Sequence, residues 1–194
     1  MDMMKSTLAA AMCCGFIAAS ASADLMWDEA IDGDLSGDYL NPTQLFTKGV
    51  NNHVLFDTVL ADREYFTFEI AEGYQLDAII VDDYVSEDDL AFIAVAAGSV
   101  FPTPPDAPDV TTLLGYAHFG VLDLGNDILQ TIGQGPGSQT FSGSLGPGTY
   151  TWWAQETGPF SAGIDLNFVV TEIPAPGALA LLGLGGLAAR RRRA

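Results

Sequence analysis

The chain has 194 residues, 25 acidic against 7 basic, and a formal charge of −18 at neutral pH. All of the acidic residues except Asp2 lie between Asp24 and Glu172, where Lys48 and Arg63 are the basic side chains. Such a surface repels DNA, RNA and anionic lipid, which excludes nucleic acid as a partner; it attracts divalent cations, and it equally serves as plain solubility in a salty medium.

Met1 to Ala23 reads as a secretory signal peptide. Lys5 supplies the positive n-region, Leu8 to Ala19 the apolar h-region and Ala21-Ser22-Ala23 the small-residue cleavage site, so the mature chain is expected to begin at Asp24. Cys13 and Cys14 both fall in this segment. The mature domain therefore has no disulfide, no thiolate nucleophile and no cysteine metal ligand.

Residues 24–172 are long enough for one domain with a real core. The pattern within them is period two, with little helical periodicity. In Tyr65-Phe66-Thr67-Phe68-Glu69-Ile70, Phe66, Phe68 and Ile70 share one face, and Gly73 turns the chain into the apolar run Leu76 to Val81. Val54 to Leu60, Leu90 to Ala96, Leu113 to Phe119, Thr149 to Gln155 and Ile164 to Val170 complete the strong strands, with weaker ones near Leu25 and Phe141. Eight or nine short strands with Gly/Pro punctuation predict an all-β fold, an antiparallel β-sandwich of jelly-roll type. Asp127 to Ile132 is expected as one short helix, with Asn126 or Asp127 at its cap. Gly98 to Asp109 holds four of the ten prolines and reads as a stiff surface loop, a binding loop or a decorative insertion.

The candidate for metal chemistry is Asp32-Gly33-Asp34-Leu35-Ser36-Gly37-Asp38. Oxygen ligands at alternating positions with a glycine at the sixth are how a calcium loop wraps its ion, so Asp32, Asp34, Ser36 and Asp38 are candidate calcium ligands. The twelfth position is Thr43 where a bidentate Glu is needed, and Pro42 precedes it. The competing reading is an Asx-rich turn. Asp82, Asp83, Glu87, Asp88 and Asp89 form a second, vaguer acidic group whose competing reading is a solvated loop.

Trp152 and Trp153 are adjacent in a strand and face opposite sides. One fills the core, and the other, Trp153, is free to be exposed and to stack on a sugar ring, aided by Tyr39, Tyr74 or Tyr84; packing or edge cover is the competing role. A catalytic reading has little to stand on: there is no Gly-x-Ser-x-Gly elbow, and the histidines, His53 and His118, are not at metal-ligand spacing, His118 reading as a structural strand residue. A glycosidase-like carboxylate pair remains compatible with so many acids.

The chain ends in Ile173-Pro174-Ala175-Pro176-Gly177, an uncharged run from Ala178 to Ala189, and Arg190, Arg191, Arg192 and Arg193. As a helix the run reaches about 18 Å against a hydrocarbon core of about 30 Å, and it approaches a spanning length when the flanking residues and snorkelling arginines are added. The arginines would stay cytoplasmic and the domain outside. An apolar helix packed on the domain is the alternative.

This tail, through Pro174, Ala175, Pro176 and Arg190 to Arg193, resembles the PEP-CTERM sorting signal of Gram-negative exported proteins, in a Pro-Ala-Pro variant. The resemblance implies handling by an exosortase, a membrane transpeptidase-like protease, and a place in exopolysaccharide or biofilm systems. Such tails also go under an ice-binding protein C-terminal heading, which gives this chain no ice-binding activity. Asp34-Leu35-Ser36-Gly37-Asp38, Glu64-Tyr65-Phe66-Thr67-Phe68 and Leu145 to Trp153 resemble the bacterial pre-peptidase C-terminal domains, which implies a non-catalytic, accessory β-sandwich.

Together these readings predict a secreted, non-enzymatic protein of the cell envelope or extracellular matrix, structural or adhesive, with signal peptide 1–23, domain 24–172 and sorting tail 173–194. The alternative is a calcium-dependent module that binds extracellular polysaccharide.

Overall fold

The computed structural model describes residues 24–88 and 90–174. The expected signal peptide, Asp89 and the tail from Ala175 onwards, with its arginines, lie outside the described residues. Among the described residues no helix is long and apolar enough to cross a membrane.

The chain folds mostly as strands in two mixed sheets. In order it forms β1 (Asp24–Asp28), the single-turn α1 (Glu29–Asp32), β2 (Thr43–Gln44), β3 (Asn51–Thr58), β4 (Glu64–Ile70), β5 (Tyr74–Val85), β6 (Ala91–Ala97), β7 (Gly115–Phe119), α2 (Leu129–Gly133), β8 (Gly148–Glu156) and β9 (Ala162–Glu172). One sheet has the order β1-β3-β9-β5 and the other β2-β4-β8-β6-β7.

Alternation sets which side chains meet between the sheets. From one sheet come Val54 and Phe56 of β3 and Ile164, Leu166 and Phe168 of β9; from the other come Phe66 and Phe68 of β4, Ile93 and Val95 of β6 and Trp152 of β8. Phe168 reaches across to three rings, 5.8 Å from Phe66, 5.2 Å from Phe68 and 5.1 Å from Trp152, in edge-on or tilted geometry. These contacts fix the two sheets face to face.

β5 departs from strict alternation. Its register against β9 slips between Leu76 and Ala78 and again between Val81 and Asp83, so the buried residues are Leu76, Ile79, Val81 and Tyr84. Each irregularity inserts one residue and returns the next to the core face.

A wholly antiparallel arrangement is not observed. β1 runs parallel to β3, and β2 parallel to β4. Each pair is joined by a long excursion, through α1 and β2 in the first case and through β3 of the opposite sheet in the second, and only a long crossover lets neighbouring strands run the same way. The weak strand near Phe141 also does not form. That segment is irregular, Phe141 donates its amide to the Gly133 carbonyl at the end of α2 (3.0 Å), and only Leu145 makes an isolated bridge, to Leu76. The helix expected over 127–132 occurs slightly later, as α2.

A second apolar layer lies outside the five-stranded sheet. Tyr65, Ala94, Ala96 and Trp153 point away from the inter-sheet core and are covered by Phe101 and Leu113 of the segment between β6 and β7. The proline-rich loop is therefore a lid over a sheet face.

Candidate metal centre

The residues that cluster most unusually sit at the end of the inter-sheet core where β4 begins. Glu64 has the parity of Phe66, Phe68 and Ile70, so its carboxylate points between the sheets, and the residue is wholly buried. Neither of its oxygens accepts a hydrogen bond from any N–H or O–H. An ionised carboxylate buried in that way is costly, and the group is pushed up to about 9, first by burial and then by the negative charges of Glu29, Asp62 and Asp34.

Glu29 reaches the same place from α1. Asp28 caps that turn by accepting the Ala30 amide at 3.0 Å. The Glu29 carboxylate accepts the Leu35 amide at 3.1 Å and the Asp57 amide of β3 at 2.7 Å. Burial raises its pKa, and those two amides hold the rise down. Asp34 arrives on the loop after α1, which is pinned to β4 by the Tyr65 amide donating to the Ser36 carbonyl at 2.8 Å and anchored by buried Leu35. The ligand oxygens of Glu29, Asp34 and Glu64 all lie within 4.8 Å of one another. Asp62, also raised by burial and by Asp34, adds negative charge nearby.

No basic side chain of the domain answers this charge. Lys48 donates to the Leu25 carbonyl, and Arg63 pairs with Asp106 at 2.8 Å. Two chemistries can relieve the cluster: a proton shared between Glu29 and Glu64, or a hard divalent cation taking one oxygen from each of the three carboxylates.

Comparison of the chain with family models, curated proteins and solved structures finds no match. The site is therefore read from its own geometry.

Of the calcium ligands expected from sequence, only Asp34 joins this cluster. Asp32 accepts the Asp28 amide at 3.0 Å. Ser36 Oγ accepts the Asp38 amide at 3.1 Å, and Asp38 accepts from the Leu40 amide and the Asn41 side-chain amide, at 2.9 and 2.6 Å, which lower its pKa. These are the local bonds of an Asx-type turn. Thr43, unsuited to a twelfth-position ligand, closes the loop by accepting the Ser36 amide at 2.9 Å. Glu29 and Glu64 were not singled out from sequence. The signal for Glu64 is a carboxylate at a core-facing position of Glu64-x-Phe66-x-Phe68-x-Ile70; Glu29 leaves none, since only the fold brings it there.

The second acidic group divides as well. Asp82 meets His53 and Asp165, with His53 Nδ1 3.0 Å from Asp165 and 3.6 Å from Asp82. Here a histidine partners the acids, and Asp165, raised by burial, is lowered again by His53. Asp83 accepts the amide of Tyr84, Glu87 is exposed, and the Asp88 carboxylate lies against Gly158.

The expected exposed tryptophan is corrected. Trp153 is only 5% exposed, because Phe101 folds over it at 5.6 Å, Tyr65 stacks on it at 5.8 Å and Phe92 meets it edge-on at 5.0 Å. Its Nε1 donates to Gln155 at 3.1 Å. Tyr39 packs on Tyr65, Tyr74 is exposed, and Tyr84 is buried with its hydroxyl on Glu156 at 3.3 Å. His118 is exposed on β7 and meets Phe92 edge-on at 5.5 Å.

Proposed function

We propose that the protein is an exported, non-enzymatic component of the cell envelope or extracellular matrix, structural or adhesive in role, delivered by residues 1–23 and held or released through the tail of residues 173–194. Its domain is read as a β-sandwich of jelly-roll type. Support for the topology comes from the way β3, β4, β5 and β6 alternate between the sheets, and β8 and β9 return to lie between earlier strands. The observation that carries the role is the combination of an almost purely acidic domain surface with a tail of Pro174, Ala175 and Pro176, an uncharged run and Arg190 to Arg193. An exosortase-type protease is the expected processing partner.

The test is fractionation of cells expressing the full chain and a variant with Arg190 to Arg193 all replaced by alanine. The unaltered protein is expected in the envelope fraction, cut after Ala23, and the variant in a different fraction. Retention of both in the cytoplasm with residues 1–23 attached overturns the reading.

A polysaccharide-binding reading is supported by one feature. Beside Trp153, a cavity of about 270 Å³ is lined by Phe92, Tyr116, His118 and Gln155, aromatic faces with polar neighbours of the kind that stack on sugar rings. Under this reading Tyr116→Ala, at a half-buried ring, removes retention on an acidic or neutral polysaccharide column without loss of fold. Unchanged retention rejects it.

A further inference from the structure

Glu64 is the strongest unexplained feature of the molecule. A wholly buried carboxylate with no donor to either oxygen is costly unless something positive completes it. Its two neighbours within 4.8 Å are further carboxylates, and the basic residues of the domain are engaged elsewhere.

We propose that Glu29, Asp34 and Glu64 bind one divalent cation of the calcium class, which clasps the N-terminal segment to both sheets. The donor set is all oxygen, with no histidine or cysteine in the group, which disfavours zinc and copper. Calcium accepts six to eight oxygens in flexible geometry, whereas magnesium demands a regular octahedron and gives up its waters reluctantly. A site whose deepest ligand is a desolvated Glu64 suits the former. The three arms come from three places. Glu64 belongs to β4 of one sheet, Glu29 is tied through the Asp57 amide to β3 of the other, and Asp34 lies on the loop that joins α1 to the bridge at Ser36. An ion there joins the open end of the two layers, with the remaining coordination left to backbone oxygens and water. The inference does not depend on the envelope role.

The experiment uses purified full-length protein and calcium chloride as the probe, with thermal unfolding and titration calorimetry in chelator, calcium and magnesium at one ionic strength. An ion bound only by the folded state raises the midpoint by mass action, and about a hundredfold excess over Kd is expected to raise it by about 5–10 °C for a domain of this size. Magnesium is expected to give a smaller shift. Glu64→Gln removes the buried charge, so it is expected to melt in chelator no lower than the natural protein and to lose the calcium shift. Asp34→Asn, at an exposed position, also lessens the repulsion on Glu64, so it is expected to melt in chelator no lower than the natural protein while weakening calcium binding at least about tenfold. A calcium shift that Glu64→Gln retains places the ion elsewhere and overturns the proposal. So does the absence of any calcium-specific shift, which leaves a proton shared between Glu29 and Glu64 as what relieves the cluster.

Discussion

Trp152 and Trp153, neighbours in β8, are both buried, but in different cores. Trp152 lies between the sheets, stacked on Phe68 at 6.0 Å, and Trp153 lies under the proline-rich lid against Tyr65 and Phe101. The lid changes what an outward-facing tryptophan means. Without it Trp153 would be a platform for a flat ligand; with it the ring is a packing element of a three-layer arrangement.

Trp153→Ala is therefore expected to destabilise the domain by about 3–5 kcal/mol, the range for removing a buried aromatic side chain. Urea unfolding followed by far-UV circular dichroism measures it. The double variant with Phe101→Ala is expected to cost less than the sum of the two single changes, because the second truncation finds its partner already gone. A Trp153→Ala protein as stable as the natural one would mean that the lid does not rest on the ring.

Glu64 gives the domain a pH dependence opposite to that of an ordinary salt-bridged acid. Its folded pKa is raised, from 4.5 to about 9, by burial and by Glu29, Asp62 and Asp34. As pH rises through the lower value, the unfolded chain loses its proton while the folded chain keeps one. The folded state then binds more protons, so stability falls as pH rises from about 4.5 towards 9. Chemical denaturation in chelator across that window is expected to show the fall. The difference between the natural protein and Glu64→Gln isolates it, since the variant has no proton to lose there.

Much of this fold is legible in the chain because its cause is local. Phe66, Phe68 and Ile70, or Ile164, Leu166 and Phe168, state by alternation which face is buried, and the structure places them so. What could not be read locally depends on distant partners. The parallel pairing of β1 with β3 is decided by where the chain re-enters the sheet, and the slips in β5 shift its core residues to Ile79 and Val81 within Ala78 to Val81, where every side chain is apolar and none marks the buried face. The site divides in the same way. Asp32, Ser36 and Asp38 are close in sequence, and local turn bonds take them up. Glu29, Asp34 and Glu64 meet only after β3 and β4 have assembled, and the misplaced polarity of Glu64 is the one trace of that in the sequence.

Gly115 marks a close approach that tolerates no side chain. A Cβ there would stand 2.1 Å from the Ile132 carbonyl oxygen of α2, and a backbone oxygen cannot swing aside as a flexible side chain can. Gly115→Ala must push α2 off β7 and disturb Leu129 and Ile132, both fully buried. The expected loss is about 1–3 kcal/mol, the usual cost of overpacking, read from the urea midpoint. An unchanged midpoint would show that α2 is free to shift.

Asp127 ties α2 to the bulged strand by a single oxygen. Its Oδ1 accepts the Leu129 amide at 2.9 Å, at the start of the helix, and the Ile79 amide at 2.9 Å, in the middle of β5. The Ile128 amide returns a bond to the Ile79 carbonyl at 2.9 Å, so the backbone of Ile79 is satisfied by this segment on both its donor and its acceptor. Ile79 itself is wholly buried, and water cannot readily replace the lost acceptor. Asp127→Ala leaves the Leu129 and Ile79 amides without their acceptor and is expected to cost about 1–2 kcal/mol. The local readout is hydrogen exchange. The Ile79 amide is expected to exchange faster by more than the global loss of stability accounts for, while the Leu166 and Phe168 amides on neighbouring β9 follow the global change alone. Exchange at Ile79 that tracks β9 would show that the strand is held by its ladder and that the Asp127 oxygen adds nothing to it.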